Sequence, residues 1–494
     1  MAGKSTWTVM VYLAGKNNLG EECVFSLTEL KRIGPGKGVK VIAQLDSSIY
    51  DGAEIIVQKG EKPGALNHEL QAGKVRGALS ATGRQLTYFE EILSFIKGSI
   101  RTHRAHHYML VLSGHGHGSV GDFLSEGQAN KIQGLSIPSL GKLIEKVNKV
   151  IAKTSGTPNG QNKLDILGMD SCLMSMAEVA YAVHKHAKIM IGAEGFEPMA
   201  GWPYAYILRE INELAAKRNG GNDEDVRTLA KKLACKYISY YSDYQAAAVS
   251  VDQAACDLSQ SVNLMKAVRS LSDVLCGCLS DSDPKLRNAL VLAHWEAQPY
   301  KNEQYTDLYD FCTLLQNYYA DGTEAVHRAC QNVKNSILGS ASEGAEAKNA
   351  DRNFQNVPGF VLKSCYSGLT VQYSYGVSVY FPWAKKPADL DQYKTLNFAK
   401  DSRWKNFLDA YLQATKREIR PGRGKPRSFE DPQMLNLFNA NIGNGFSGMG
   451  NRSGLESKSG LESKSGLESK SLENLIGSMR NPPTEFAECV CDVK

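Results

Sequence analysis

Short, nearly continuous apolar runs punctuate the first two hundred residues: Trp7–Leu13, Val39–Leu45, Glu54–Val57, Tyr108–Leu112, Leu164–Gly168 and Lys188–Ala193. Runs this short that do not alternate with polar residues fit strands of a sheet covered on both faces. Between them apolar residues recur at helical spacing, most plainly Leu86, Phe89, Ile92, Leu93 and Ile96 within Leu86–Ile100, then again in Leu140–Val150 and after Cys172. Strands alternating with helices predict an α/β fold with an open, mostly parallel sheet. From about residue 205 the pattern is largely helical, a β pattern returns in Leu369–Pro382, and a last helix is expected over Trp404–Thr415. Beyond about residue 417 the chain turns basic and rich in Gly, Pro and Asn, and the block Gly-Leu-Glu-Ser-Lys-Ser recurs three times between Gly454 and Ser471. A leucine every six residues fits neither a heptad nor one helix face, so a disordered, low-complexity tail is expected. The expected division is residues 1–204 as an α/β core, 205–416 as a mainly helical region with a returning β segment, and 417–494 as tail.

Composition removes several classes of function. With 57 basic and 52 acidic residues in 494, the net charge of +5 is too sparse for a dedicated nucleic-acid binder. No apolar stretch approaches the ~20 residues that cross a bilayer. The first apolar run, Thr8 to Ala14, leads into Gly15-Lys16-Asn17-Asn18 without a small-residue cleavage pattern, so it reads as a strand and a cytoplasmic location is expected. Eleven cysteines, an odd number without a repeating framework, argue against a disulfide-stapled scaffold and for mostly reduced thiols. Cys276/Cys278 and Cys489/Cys491 lack the paired spacing of a zinc ribbon, so no structural metal is expected there.

Candidate chemistry gathers just past two of the predicted strands, where open α/β sheets bind ligands. Cys172 follows Leu164–Gly168 and precedes the amphipathic stretch Leu173–Tyr181, which predicts a cysteine at a helix N-terminus, its thiolate favoured by the helix dipole. A small buried residue is the plainer alternative. His115 follows Tyr108–Leu112 inside Ser113-Gly114-His115-Gly116-His117-Gly118, where glycines let backbone approach a substrate. The N–H groups of Gly116 and Cys172 are suited to an oxyanion, and His115 to proton transfer. His117 competes for that role, and the two histidines together raise a metal site as an alternative. Asp170 suits either the binding of a substrate cation or the capping of the following helix. Ser171 lacks the closing glycine of a nucleophile elbow. His103, His106 and His107 precede their strand and read as a solvated loop on the opposite side. The polar stretch Thr154–Asn162, flanked by Lys153 and Lys163, reads as an exposed, cleavable loop.

These segments together resemble the clostripain-like cysteine peptidases, relatives of the caspases, legumains and gingipains. The likeness runs over roughly residues 6 to 415, through Trp7–Ala14, Val41–Asp46, Leu110–Gly116, Met169–Tyr181, Ala193-Glu194-Gly195-Phe196-Glu197-Pro198, Gly201-Trp202-Pro203-Tyr204, Gly376–Pro382 and Trp404–Leu412. The resemblance implies a caspase-like αβα sandwich and an endopeptidase that cuts protein or peptide substrates after Arg or Lys. It implies a dyad of His115 and Cys172 that demotes His117, oxyanion donors at Gly116 and Cys172, and Asp170 as the acid of the basic-residue pocket. It also implies self-cleavage before the nucleophile, with Lys153 and Lys163 as candidate sites. Neither a nucleic-acid nor a membrane partner is expected; no cofactor is required, and calcium stays open as an alternative. Some relatives use calcium; here Lys16 interrupts a turn that is often acidic, and Gly114 stands where relatives often carry an acid or amide. The competing expectations are a weak or inactive interaction module of the same fold and a metallo-hydrolase built on His115 and His117.

Overall fold

The structure is a computed structural model and describes residues 5–47, 53–57, 86–126, 133–155, 163–243, 249–280, 283–301, 303–340, 350–383 and 387–416. All of them belong to one compact unit, Met1–Glu418; the repeat tail and the loop 156–162 lie outside the described residues.

Eight strands form the central sheet: β1 (Ser5–Gly15), β2 (Val39–Ser47), β3 (Ala53–Ile56), β4 (Ala105–Ser113), β5 (Leu164–Asp170), β6 (Ala187–Gly192), β7 (Val251–Asp257) and β8 (Val361–Ser367). Their order across the sheet is β8-β7-β6-β5-β4-β1-β2-β3. The five strands from β6 through β2 run parallel, whereas β3, β7 and β8 each pair antiparallel with a neighbour. All six strands expected from the apolar runs are present, extended by one to three residues at most ends.

Alternate residues of β1 serve two cores. Met10, Tyr12 and Ala14 face one, with helices α2 (Tyr88–Thr102), α3 (Ile137–Ser155) and α4 (Ala177–Val183) contributing Ile92, Ile144 and Val179. Val9, Val11 and Leu13 face the other, with α1 (Gly20–Ile33), α5 (Tyr204–Ala215) and α6 (Asp223–Ser242) contributing Leu27, Ile207 and Leu233. A sheet with apolar side chains on both faces needs a helical layer on each, and the αβα sandwich follows. On the first face α7 (Ser261–Ser280), α8 (Pro284–Glu296), α9 (Leu308–Tyr318), α10 (Glu324–Leu338) and the final helix Trp404–Lys416 extend the same core. Local signals start several helices: Thr87 and Glu90 form a capping box before α2, and Asn222 and Asp225 another before α6.

The expected boundary at residue 204 does not divide the sheet, because β7 and β8 come from the second half and complete it. The sequence hides β7, since Asp252, Gln253 and Asp257 interrupt its apolar pattern. All three are buried and partnered: Asp252 accepts from the N–H groups of Glu194 and Gly195, Gln253 donates to Glu197, and Asp257 pairs with Arg227. In Leu369–Pro382 the first residues form a 3₁₀ turn, Leu369–Val371, and only Ser378–Tyr380 is a strand, paired with Tyr305–Asp307 in a small sheet. No helix among the described residues is long and apolar enough to cross a membrane.

Candidate active site

β4 and β5 lie side by side with Ser113 opposite Asp170, so the chain segments that leave their carboxyl ends are neighbours. The Gly114 N–H donates to the Asp170 carbonyl at 3.1 Å, and the Ser171 hydroxyl donates to the Gly114 carbonyl. This clamp sets the histidine loop against the cysteine loop. A Cβ on Gly116 would collide with the Cys172 carbonyl, so glycine is what lets the two backbones meet. Gly114, where relatives often carry a polar side chain, has φ of +155°, and a Cβ there would come within 2.9 Å of the Ala14 Cβ.

His115 is half-buried, and its Nε2–H donates to Asn18 Oδ1 at 2.7 Å. That bond leaves Nδ1 as the nitrogen able to take a proton. Asn18 stands in the turn between β1 and α1, which Asn17 secures by donating to the carbonyls of Ala14 (3.3 Å) and Ser125 (3.1 Å). Burial, and secondarily the nearby His117, lower the pKa of His115, which favours neutral imidazole. His117 is tied into its own turn: Nδ1–H donates to the Asp122 carbonyl at 2.9 Å, and its carbonyl accepts from Lys301 Nζ at 2.6 Å and from the Tyr305 hydroxyl.

The expectation of a helix N-terminus at Cys172 is corrected. Cys172 lies in a turn, Leu173 is left-handed at φ +65°, and α4 starts only at Ala177. The helix dipole acts over the first turn of a helix and does not reach back to this thiol. Instead the half-buried Sγ accepts the Glu197 N–H at 3.2 Å, and its pKa is pushed up to about 11, first by burial and then by the Glu197 carboxylate. Asp170 caps no helix. It closes β5 and accepts the Tyr204 hydroxyl at 2.7 Å on Oδ2.

Sequence reasoning assigned no role to Glu197, although its segment was part of the resemblance. Glu197 Oε1 accepts from Trp202 Nε1 and Gln253 Nε2, each at 3.2 Å, and the neighbouring Asp170 carboxyl acts on its ionisation. Asp170 is buried and Glu197 is part-exposed as a residue with its Oε2 sealed from solvent; both pKa values are raised, for Asp170 by burial and for Glu197 well above its usual range by burial and then by Asp170. Two buried carboxyls in contact share a proton when no cation lies between them.

The remaining candidates stand apart. Lys153 is exposed in the last turn of α3, and Lys163 Nζ donates to the His184 carbonyl at 3.3 Å. His107 is not in a solvated loop: it lies in β4 near its amino end, is stacked on Trp7 at 4.9 Å, and contacts Asp165 and the Gly221 carbonyl. Lys16 Nζ sits 2.6 Å from Asp46 Oδ1. Among the described residues no group of three or more His, Cys, Asp or Glu side chains is arranged to hold a metal.

A parallel sheet covered by helices on both faces, with a glycine-framed histidine and a cysteine beyond adjacent strand ends, defines a cysteine-type peptidase of caspase-like fold. The chain belongs to the clostripain family, whose model matches residues 11–411. Two solved structures share the fold. One is a secreted C11 cysteine protease from Bacteroides thetaiotaomicron in complex with an irreversible peptide inhibitor, 15% identical with a TM-score of 0.53, the match covering 81% of this chain and 99% of that one. The other is an inactive zymogen C11 protease from Parabacteroides distasonis, 18% identical with a TM-score of 0.51 over 81% and 99% of the two chains. No curated protein matches the sequence.

Proposed function

We propose that this cysteine peptidase cuts after Arg or Lys with Cys172 as nucleophile and His115 as proton carrier. The observation that carries the specificity is the pair of buried carboxyls, Asp170 and Glu197, one of which also holds the nucleophile by its backbone N–H. A guanidinium or ammonium seated there replaces the shared proton and forms charge-assisted hydrogen bonds. Its charge also offsets the Glu197 carboxylate, which after burial is the second cause holding the Cys172 thiol up at about 11, so the substrate itself helps to form the thiolate. In the reaction the Cys172 proton passes to His115 Nδ1, the sulfur attacks the scissile carbonyl, and the N–H groups of Gly116 and Cys172 receive the oxyanion. His115 then protonates the leaving amine, and water hydrolyses the thioester. His115 has Asn18 as its orienting partner, which favours it over His117.

The same preference makes Lys153 and Lys163 sites of self-cleavage. The thiol pKa of about 11 supports a resting enzyme that is not yet fully active. No cofactor is needed for these steps. Lys16 Nζ pairs with Asp46, so Asp46 is not proposed as a calcium ligand, and turnover with and without a chelator tests whether calcium acts elsewhere.

The test is a panel of fluorogenic peptides with Arg, Lys, Asn or Asp before the scissile bond, run beside intact-mass measurement of wild type and Cys172→Ala. Hydrolysis of the Arg and Lys peptides alone, lost in Cys172→Ala together with any scission between Val150 and Leu164, supports the reading. Cleavage after Asn or Asp overturns the specificity. Inertness toward all four by a protein that also shows no scission favours the interaction-module alternative.

A further inference from the structure

Cys235 on α6 and Cys365 on β8 are 130 residues apart in sequence, yet their sulfur atoms stand 2.6 Å apart. Heavy atoms in ordinary non-bonded contact rest about 3.5–4 Å apart. The two thiols are therefore closer than packing alone produces, within about 0.6 Å of the ~2.05 Å length of an S–S bond. The backbone supports them firmly: Cys365 is buried at the register position opposite Gln253, and α6 packs across β7 and β8.

The location bears on the candidate site. Gln253, opposite Cys365, donates to Glu197. From α6, the Tyr241 hydroxyl donates to the Gly201 carbonyl at 2.6 Å, and a Cβ on Gly201 would lie 3.1 Å from both carboxylate oxygens of Asp170. β8 is the last strand of the sheet and pairs only with β7 among the described strands. A second pair, Cys312 and Cys330, also interacts, but both residues are wholly buried and the Cys312 thiol is pushed well above its usual pKa, which withholds the thiolate that oxidation needs.

We propose that Cys235 and Cys365 form a disulfide when the protein meets an oxidant such as a peroxide, stapling α6 to the edge strand behind the Asp170–Glu197 pocket. Cys235, the more accessible of the two, attacks one peroxide oxygen as its thiolate. The O–O bond breaks, one oxygen leaves as water after protonation, and the cysteine becomes a sulfenic acid. The Cys365 sulfur then attacks the Cys235 sulfur, the S–S bond forms, the S–O bond breaks, and hydroxide leaves as water with the Cys365 proton. Two thiols give up two electrons and the peroxide takes them.

The experiment uses the full chain as Cys172→Ala, which removes the reactive active-site thiol and any self-digestion. Samples treated with hydrogen peroxide or dithiothreitol are denatured, alkylated, digested and mapped by mass spectrometry, and their thermal unfolding is compared. The expected result is a Cys235–Cys365 linked peptide only after peroxide, with Tm raised by about 2–5 °C and the rise absent when Cys365→Ser is added. Recovery of both cysteines alkylated or singly over-oxidised after peroxide, linkage to other cysteines, or a link without a Tm shift overturns the proposal. The mapping itself needs no variant at the pair, so poor folding of Cys365→Ser leaves the test standing.

Discussion

His115 holds its position through a bond that no strand or helix dictates. Its Nε2–H is taken by Asn18, a residue 97 positions earlier in the chain. Asn18→Ala removes that acceptor, freeing the ring to turn and the tautomer to change. Steady-state kinetics on an Arg peptide are expected to show kcat reduced by about 10²-fold with KM little changed. Glu197 belongs to the same scale. While the Asp170–Glu197 pair keeps a proton, a substrate cation is opposed, so kcat/KM should rise as pH increases through the raised pKa of the pair. Glu197→Gln removes one acid from the pair and is expected to move this acid limb to lower pH in a kcat/KM profile, with a higher KM for the Arg peptide. His115 and Cys172 were legible in the sequence because each follows an apolar strand, one of them among glycines. Asn18 and Glu197 were not, since an asparagine in a turn and a glutamate in a loop are ordinary surface residues until the fold carries them to the site.

At the scale of elements, α4 carries a buried acid that the reaction does not use. Glu178 Oε1 accepts the Tyr380 N–H at 2.9 Å and the Tyr393 hydroxyl at 3.1 Å, and burial raises its pKa from 4.5 to about 7. A carboxyl with a raised folded pKa binds its proton more tightly in the folded chain, so stability falls as pH rises from about 4.5 to about 7 and then levels. The loss is on the order of 3 kcal/mol. Glu178→Gln keeps an acceptor oxygen and stays neutral. Urea unfolding is expected to place the variant near wild type at the acid end of this window and above it at pH 8. Elements also differ in how far they could be read. β1, β2, β4, β5 and β6 announced themselves as apolar runs because both faces of a central parallel strand are buried. β7 did not, because its acids and amide are satisfied by partners from other segments. The helix expected at Cys172 failed for a different reason: the apolar spacing of Leu173–Tyr181 is real, but Leu173, Met174 and Met176 are buried as a turn that packs before the helix begins.

Across the whole molecule, a cut after Lys153 or Lys163 would separate the sheet along one seam, β4 against β5, where Met109–Ser113 pair with Ile166–Asp170. Both sides of that seam are buried, so the two fragments are expected to run as two bands on a denaturing gel and to elute as one species on gel filtration. Residues 1–204 expressed alone should, by the same logic, lack a cooperative thermal transition, because one of the two partners of β6, strand β7, and the α6 residues Leu233 and Tyr237 of the second core come from beyond them. The sequence by itself determined the fold class, the alternation of strands and helices, and the two strand ends where histidine and cysteine wait. Those are local properties, written in apolar periodicity and glycine placement. Only the tertiary structure decided that the second half closes the same sheet, that Glu197 joins Asp170 beside the thiol, and that Asn18 orients His115. Such pairings depend on long-range register and burial, and no short window of sequence contains them.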